Sequence, residues 1–392
     1  MKNVFILDAI RTPIGSFGGN LSNLSAIQLG AELVTGILSR NNLNKNDIDT
    51  LIFGNVLSAN LGQNPAKQIA IKGGLNNNTI SFSVNKVCAS GLKAVDLAAQ
   101  SIALGKSNMI IAGGAESMSN APYYLARLNQ AKKMGNQQLI DGMFFDGLTD
   151  AYNGNLMGQC AELCATQYEI SREDQDQWAI FSYKKALHAN ENDLFKNEIF
   201  PLSISTKGKT VVIDKDEEPY LANFEKLLQL KPAFDKQGTI TAANASKLSD
   251  GAAALLLVTE DNLNQYSTKP LARIVDFADA EKEPNEFTTA PALAVEKLLQ
   301  QNKLTPSDIS FWEFNEAFAM VALANQKILN LQSENINIHG GAVALGHPLG
   351  CSGARILVSL CNILKIHQGK YGIAAICNGG GGASAVLIEN VL

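Results

Sequence analysis

Histidine is scarce in this chain, four in 392 residues, and its six cysteines (Cys88, Cys160, Cys164, Cys351, Cys361, Cys377) lack the dense spacing of a secreted disulfide framework. The first scarcity argues against a zinc site, although Cys160 and Cys164 lie four apart in a stretch that reads as helix. The second points to a reducing compartment, so the cytoplasm is expected. A surplus of basic charge is also missing. With 32 Lys and Arg against 37 Asp and Glu the net charge is −5, which gives no reason to expect nucleic acid or an anionic membrane as the main partner. No apolar run reads as long enough to span a bilayer, and Met1-Lys2-Asn3 runs into the strand-like Val4-Phe5-Ile6-Leu7 without the features of a leader. What remains, 46% hydrophobic and 18% charged, is an ordinary globular composition, long enough for two or three domains.

The most informative stretch is Asn85-Lys86-Val87-Cys88-Ala89-Ser90-Gly91. It leads into a run that is apolar except at Lys93, Asp96 and Gln100, the pattern of a buried helix. Cys88 is expected near that helix's N-terminus, where unpaired N–H groups and the helix dipole favour a thiolate. Taken alone, a free cysteine is more often a small buried residue than a reactive one.

A duplication changes that balance. Asp47-Ile48 before Thr50-Leu51-Ile52-Phe53-Gly54 is echoed by Asp308-Ile309 before Phe311-Trp312-Glu313-Phe314-Asn315, 261 residues on. Ser90-Gly91 opens an apolar helix that ends at Gly105-Lys106 and enters the strand Met109-Ile110-Ile111-Ala112. Ser352-Gly353, 262 residues later, opens another that ends at Gly369-Lys370 and enters Ile373-Ala374-Ala375-Ile376-Cys377. The expected fold is α/β, with two similar halves of mixed sheet and buried helices plus an inserted loop subdomain. We place the first half at 1–118 and 246–269, the insertion at 119–245 and the second half at 270–392. In the insertion, Ser171 before Glu173-Asp174 reads as a helix N-cap, and polar loops surround Asn129 to Asn155.

By the duplication, Cys88 and His347 precede corresponding helices, while Cys377 ends a corresponding strand beside Asn378-Gly379-Gly380-Gly381-Gly382. Asn315 follows the repeated strand and offers an amide. Each has a bland reading: a turn histidine, a buried thiol, a turn amide. A nucleophilic thiol, a base, a second thiol and glycine-rich backbone donors, all at element ends, together point to covalent catalysis.

Val87-Cys88-Ala89-Ser90-Gly91, Asn315-Glu316-Ala317-Phe318-Ala319, Gly340-Gly341-Ala342-Val343-Ala344-Leu345-Gly346-His347-Pro348 and Cys377-Asn378-Gly379-Gly380-Gly381 resemble the signature motifs of the thiolases, and the similarity runs the full length. Within the family it is strongest to the acetyl-CoA C-acetyltransferases, which join two acetyl-CoA reversibly into acetoacetyl-CoA and coenzyme A. The resemblance implies that Cys88 carries the acyl group, that His347 activates it, and that Cys377 moves the α-proton of the second substrate. It implies one oxyanion site from His347 and a water held by Asn315, and another from the N–H groups of Cys88 and Gly379. It places Lys226, Phe234, Ser246 and Tyr183 around coenzyme A. A potassium ion is implied at Tyr183, Ala242, Ala243, Ala245 and Val343, and a homo-oligomer, dimer or tetramer, is expected.

The sequence departs from the family in three places. Leu156 stands before Met157-Gly158 where most relatives have histidine, which bears on acyl-pocket polarity. His339 replaces an asparagine and is expected to face away from the site. Pro219-Tyr220-Leu221-Ala222-Asn223 lacks an arginine that relatives often place near the CoA nucleotide. Two competing readings are a longer-chain 3-ketoacyl-CoA thiolase and a thiolase-fold acyl-CoA-binding protein without turnover. Retention of Cys88, His347, Cys377 and Asn315 together argues against the second, and Phe287 and Phe318 favour the short-chain enzyme over the first.

Overall fold

The computed structural model describes residues 2–126, 136–206, 208–263 and 269–392; part of the expected polar loop around Asn129 lies outside them. The strands are β1 (Val4–Arg11), β2 (Gly15–Ser16), β3 (Thr50–Gly54), β4 (Ile80–Val84), β5 (Met109–Ser117), β6 (Tyr123–Tyr124), β7 (Ile140–Asp141), β8 (Leu202–Thr206), β9 (Lys209–Ile213), β10 (Ser249–Thr259), β11 (Ala272–Glu281), β12 (Phe311–Phe314), β13 (Tyr371–Asn378) and β14 (Gly382–Asn390). The helices are α1 (Ala26–Arg40), α2 (Pro65–Lys72), α3 (Ser90–Ala103), α4 (Met157–Gln167), α5 (Arg172–Glu191), α6 (Phe224–Leu227), α7 (Glu260–Leu263), α8 (Ala290–Asn302), α9 (Ala319–Leu329), α10 (Ala342–Leu345) and α11 (Leu349–His367).

One mixed sheet runs β12-β13-β14-β11-β1-β10-β5-β3-β4, with β2 paired to β10. It is symmetric about the short junction of Val4–Ile6 with Ala272–Ile274. On either side two antiparallel pairings are followed by a parallel one: β1-β10, β10-β5 and β5-β3 on one side, β11-β14, β14-β13 and β13-β12 on the other. Even the bulges repeat, between Ile6 and Asp8 and between Ile274 and Asp276. β10 is buried along its whole length, as its uninterrupted apolar run requires in a strand covered on both faces.

α3 and α11 lie against each other and share the inner face of both halves, packing on alternate residues such as Ile110, Leu255, Ala374 and Val386. Each fully buried Leu or Ile in this layer contributes roughly 1.5–3 kcal/mol. The polar residues of α3 gather into one ladder, with Lys93 bound to Asp96 and to Asp279 of β11 and Gln100 bound to Asp96. α11 corrects one expectation, because it is long and apolar enough to cross a membrane; the structure buries it in the core instead. Among residues 119–245, α5 begins as its sequence predicts, with Ser171 accepting a bond from the Asp174 N–H.

Candidate active site

Cys88 sits in a tight turn just before α3, whose N-cap is Ala89. Val87 holds φ at +47°, a conformation that costs a β-branched residue on the order of 1–3 kcal/mol. Ser90 offsets this strain: its hydroxyl donates to the Val87 carbonyl at 2.6 Å and accepts from the Lys86 N–H at 2.8 Å. The N-termini of α3 and α11 then meet through glycine. A Cβ on Gly91 would lie 2.8 Å from the Gly350 carbonyl oxygen, and one on Gly114 would lie 1.9 Å from it. That close crossing brings the residues preceding both helices to one place.

His347 precedes α11 and is buried. Its Nδ1 is 2.6 Å from the Ser352 hydroxyl, and that hydroxyl is 3.0 Å from the Pro348 carbonyl oxygen. A hydroxyl has one proton and a carbonyl can only accept, so Ser352 donates to Pro348 and accepts from Nδ1–H. Nε2 is therefore left with the lone pair, 3.4 Å from Asn315 Nδ2. Asn315 Oδ1 is buried with no protein partner, which suits the expected bound water.

Cys377 lies at the end of β13, buried among Phe287, Ala317, Phe318 and Met320. Immediately beyond it, the Gly379 N–H lies close enough to the Cys88 sulfur to favour its thiolate, so the strand end of one half reaches the turn of the other. A Cβ on Gly379 would meet Met157 Sδ at 3.3 Å and Val87 Cγ1 at 3.8 Å.

The electrostatics correct the expectation of a thiolate. Burial pushes the Cys88 thiol up to about 12, against the lowering effect of the Gly379 and Cys88 N–H groups, and Glu116 adds to the rise. Cys88 nonetheless keeps some exposure. Burial raises Cys377 well above the ordinary thiol value, with Cys88 next as a cause. Burial, then the Arg355 guanidinium, lowers His347 to about 3. The resting site holds neutral thiols and a neutral imidazole. Desolvation outweighs the helix terminus here.

An apolar cavity of about 320 Å³ opens beside these residues, lined by Leu156, Met157, Phe234, Ser246, Phe318 and His347 among others. Phe234 and Ser246, two of the residues expected around coenzyme A, are thus both in the wall of the cavity that His347 lines. Lys226 is exposed on α6 and Tyr183 is buried on α5; neither lines the cavity. A second hollow of about 400 Å³, around Trp178, Phe181 and Glu316, has neither thiol in its lining. His339 is not among the cavity residues either. It is buried, stacks edge-on against Phe195 and shares a 3.2 Å contact with His367.

Of the positions expected to bind potassium (Tyr183, Ala242, Ala243, Ala245 and Val343), three already face a cation and so do not suit a metal ion as they are folded. The ammonium of Lys247 donates to the Ala242 carbonyl and, at 3.1 Å, to the Ala245 carbonyl, and lies 5.9 Å from the centre of the Tyr183 ring. A second cation on the same oxygens would face direct charge repulsion. Sequence reasoning missed Lys247, although a lone lysine inside Thr241–Leu248 was the available signal. It also missed Ser352, the duplication partner of Ser90, and Glu116. The buried Glu116 carboxylate accepts from the N–H groups of Val56, Leu57 and Gly350 and pins the start of α11 to the loop after β3. Burial raises it to about 7.

Known proteins share this arrangement over the whole chain. Residues 4–261 match the family model for the thiolase N-terminal domain and residues 268–390 that for the thiolase C-terminal domain. The chain is 49% identical to a probable acetyl-CoA acetyltransferase of Dictyostelium discoideum, covering 100% of this chain and 95% of that one. It is 50% identical to a cytosolic acetyl-CoA acetyltransferase of Gibberella zeae, covering 99% and 98%. Among solved structures, a thiolase of Ascaris suum in complex with coenzyme A superposes with a TM-score of 0.94 at 45% identity, covering 100% of both chains. An acetyl-CoA acetyltransferase of Bacillus anthracis superposes with a TM-score of 0.97 at 38% identity, covering 100% of this chain and 99% of that one. With both family models matched end to end and a common fold, the chain belongs to the thiolase family.

Proposed function

We propose that the chain is an acetyl-CoA C-acetyltransferase that condenses two acetyl-CoA into acetoacetyl-CoA and coenzyme A, and runs the reverse thiolysis. The observation that carries this reading is the nearness of the Gly379 N–H and the Cys377 thiol to the Cys88 sulfur, because it joins the nucleophile to the strand that bears Cys377.

In the first half-reaction His347 Nε2 takes the Cys88 proton as sulfur attacks the thioester carbonyl. The tetrahedral oxyanion collapses and expels the CoA thiolate, which takes the proton of Cys377, leaving acetyl-Cys88, a Cys377 thiolate and the His347 imidazolium. In the second, Cys377 as thiolate removes the α-proton of a second acetyl-CoA. The enolate attacks the acetyl-Cys88 carbonyl, the N–H groups of Cys88 and Gly379 hold the new oxyanion, and collapse releases acetoacetyl-CoA with Cys88 as thiolate. The imidazolium proton then passes to Cys88, which returns both thiols and the imidazole to their neutral resting forms. Fixed N–H donors suit these steps because the resting thiols are neutral and negative charge appears only during reaction.

A short acyl group is favoured by crowding around Cys377. Phe234 and Phe318 pack edge to face with ring centres 6.0 Å apart, and Phe287 closes the same cluster. Leu156 makes the adjoining cavity wall apolar. Thiolysis of acetoacetyl-CoA should outpace that of 3-ketohexadecanoyl-CoA by more than tenfold in kcat/KM. The reverse ranking would favour the longer-chain reading, and no thiolysis of either would favour a binding protein.

Coenzyme A enters as substrate and product. Six free thiols and the cytosolic relative support a cytoplasmic setting. A homo-oligomer is supported by β4, an edge strand with Ile80 and Phe82 exposed.

A further inference from the structure

The segment Thr241–Lys247 links the substrate cavity to the catalytic base. Ala242, Ala245, Ser246 and Lys247 line the cavity. Ala245 bridges to Phe318, and the Ser246 N–H donates to the Ala317 carbonyl at 3.1 Å, which ties the segment to the loop that carries Asn315. The carbonyl of Lys247 itself accepts the His347 N–H at 2.9 Å and the Ser249 hydroxyl at 3.0 Å. Any slack in these seven residues would reach the cavity wall and His347 together.

A single cation fastens the segment. The Lys247 side chain folds back over its own loop so that its ammonium donates to the Ala242 and Ala245 carbonyls beside the Tyr183 ring. Two backbone carbonyls and an aromatic ring suit an ammonium well, since it brings three rotatable donors and a compact charge. Converging carbonyl oxygens are also what a potassium ion uses in place of its hydration shell. The two cations are therefore interchangeable in kind at this position, but only one of them is covalently attached.

We propose that Lys247 is the built-in monovalent cation of the coenzyme A loop, a positioning residue that makes this chain independent of potassium. It acts through the backbone of Ala242–Ser246 and through its own carbonyl on His347. At neutral pH it remains charged, because burial lowers it only to about 8 while Glu218 acts in the opposite direction.

The test compares the parent and Lys247→Ala in potassium chloride and in choline chloride at equal ionic strength. Thermal unfolding and coenzyme A binding by calorimetry are measured along with steady-state rates. The part that reads coenzyme A rests on the function proposed above; the thermal shift does not, so the two can fail separately. The parent should unfold at the same temperature and bind coenzyme A equally well in both salts. Lys247→Ala should bind coenzyme A and saturate with acetyl-CoA roughly tenfold more weakly in choline, with kcat reduced less than KM is raised. Potassium should restore most of that loss, because the vacated carbonyls then accept a free ion. A parent that gains several-fold in affinity or several degrees in stability from potassium would overturn the proposal, as would a Lys247→Ala variant that matches the parent in choline. Should Lys247→Ala fail to fold in choline, folding in potassium supports the proposal and failure in both salts overturns it.

Discussion

Ser352 does for His347 what Ser90 does for the Cys88 turn, since each hydroxyl donates to a carbonyl three or four residues back and accepts from a group just before the helix. At His347 the consequence is chemical, because the proton is held on Nδ1 and the lone pair on Nε2. Ser352→Ala should lower kcat by roughly 10- to 100-fold while the melting temperature falls by only a few degrees, and Ser352→Thr should recover much of the rate. Parallel kinetics and thermal melts check this; a Ser352→Ala enzyme with the parent's kcat would remove the tautomer argument. His339 makes a separate prediction. Burial, then His367 and His188, lowers it to about 4 from the ordinary 6.5. Between those values the unfolded chain binds the proton and the folded chain does not, so the contribution is complete above about pH 6.5 and is lost as pH falls toward 4. His339→Asn should therefore lose less stability than the parent between pH 7 and 5, by on the order of 1–2 kcal/mol, with kcat unchanged. Urea titrations at the two pH values measure it, and identical losses would contradict it.

At the scale of elements, the duplication was legible because apolar helices and the strands after them repeat at a nearly constant spacing. Its full depth was not. Asp8 accepts from its own neighbour's N–H and from Asn41 at the end of α1, and Asp276 does the same with Asn302 at the end of α8. Single polar residues at helix ends carry no periodic signal, so this match emerges only from the fold. The same holds for the meeting of Gly91, Gly114 and Gly350, where the contact lies between residues far apart in sequence. The chain also gave a misleading cue. A helix N-terminus argued for a thiolate at Cys88, but burial depends on the whole molecule and dominates. The β4 edge yields a prediction of its own. A second copy pairing there would bury Ile80 and Phe82, so the double variant Ile80→Lys with Phe82→Lys should run as a smaller species than the parent in light scattering. An unchanged mass would place the oligomer interface elsewhere.

Over the whole molecule, the symmetric sheet accounts for how residues from opposite ends of the chain come to share one site. α3 and α11 enter the core side by side, so the turn before each opens at the same end, and the end of β13 brings Cys377 and Gly379 to Cys88. Cys88, His347, Cys377 and Asn315 could be picked out in the sequence because each sits at an element end next to small residues. Lys247 stands out in the sequence only as a lone lysine in its segment; its role depends on a side chain folding back on two carbonyls of its own loop. The central claim is that Cys88 carries the acyl group while the second thiol moves protons. It is tested most directly by exposing the protein to acetyl-CoA, quenching in acid and locating the acetyl group by peptide mass spectrometry. The account predicts a thioester on Cys88 in the parent and in Cys377→Ala, and none in Cys88→Ala; an acetyl group that persists on another residue in Cys88→Ala would contradict it.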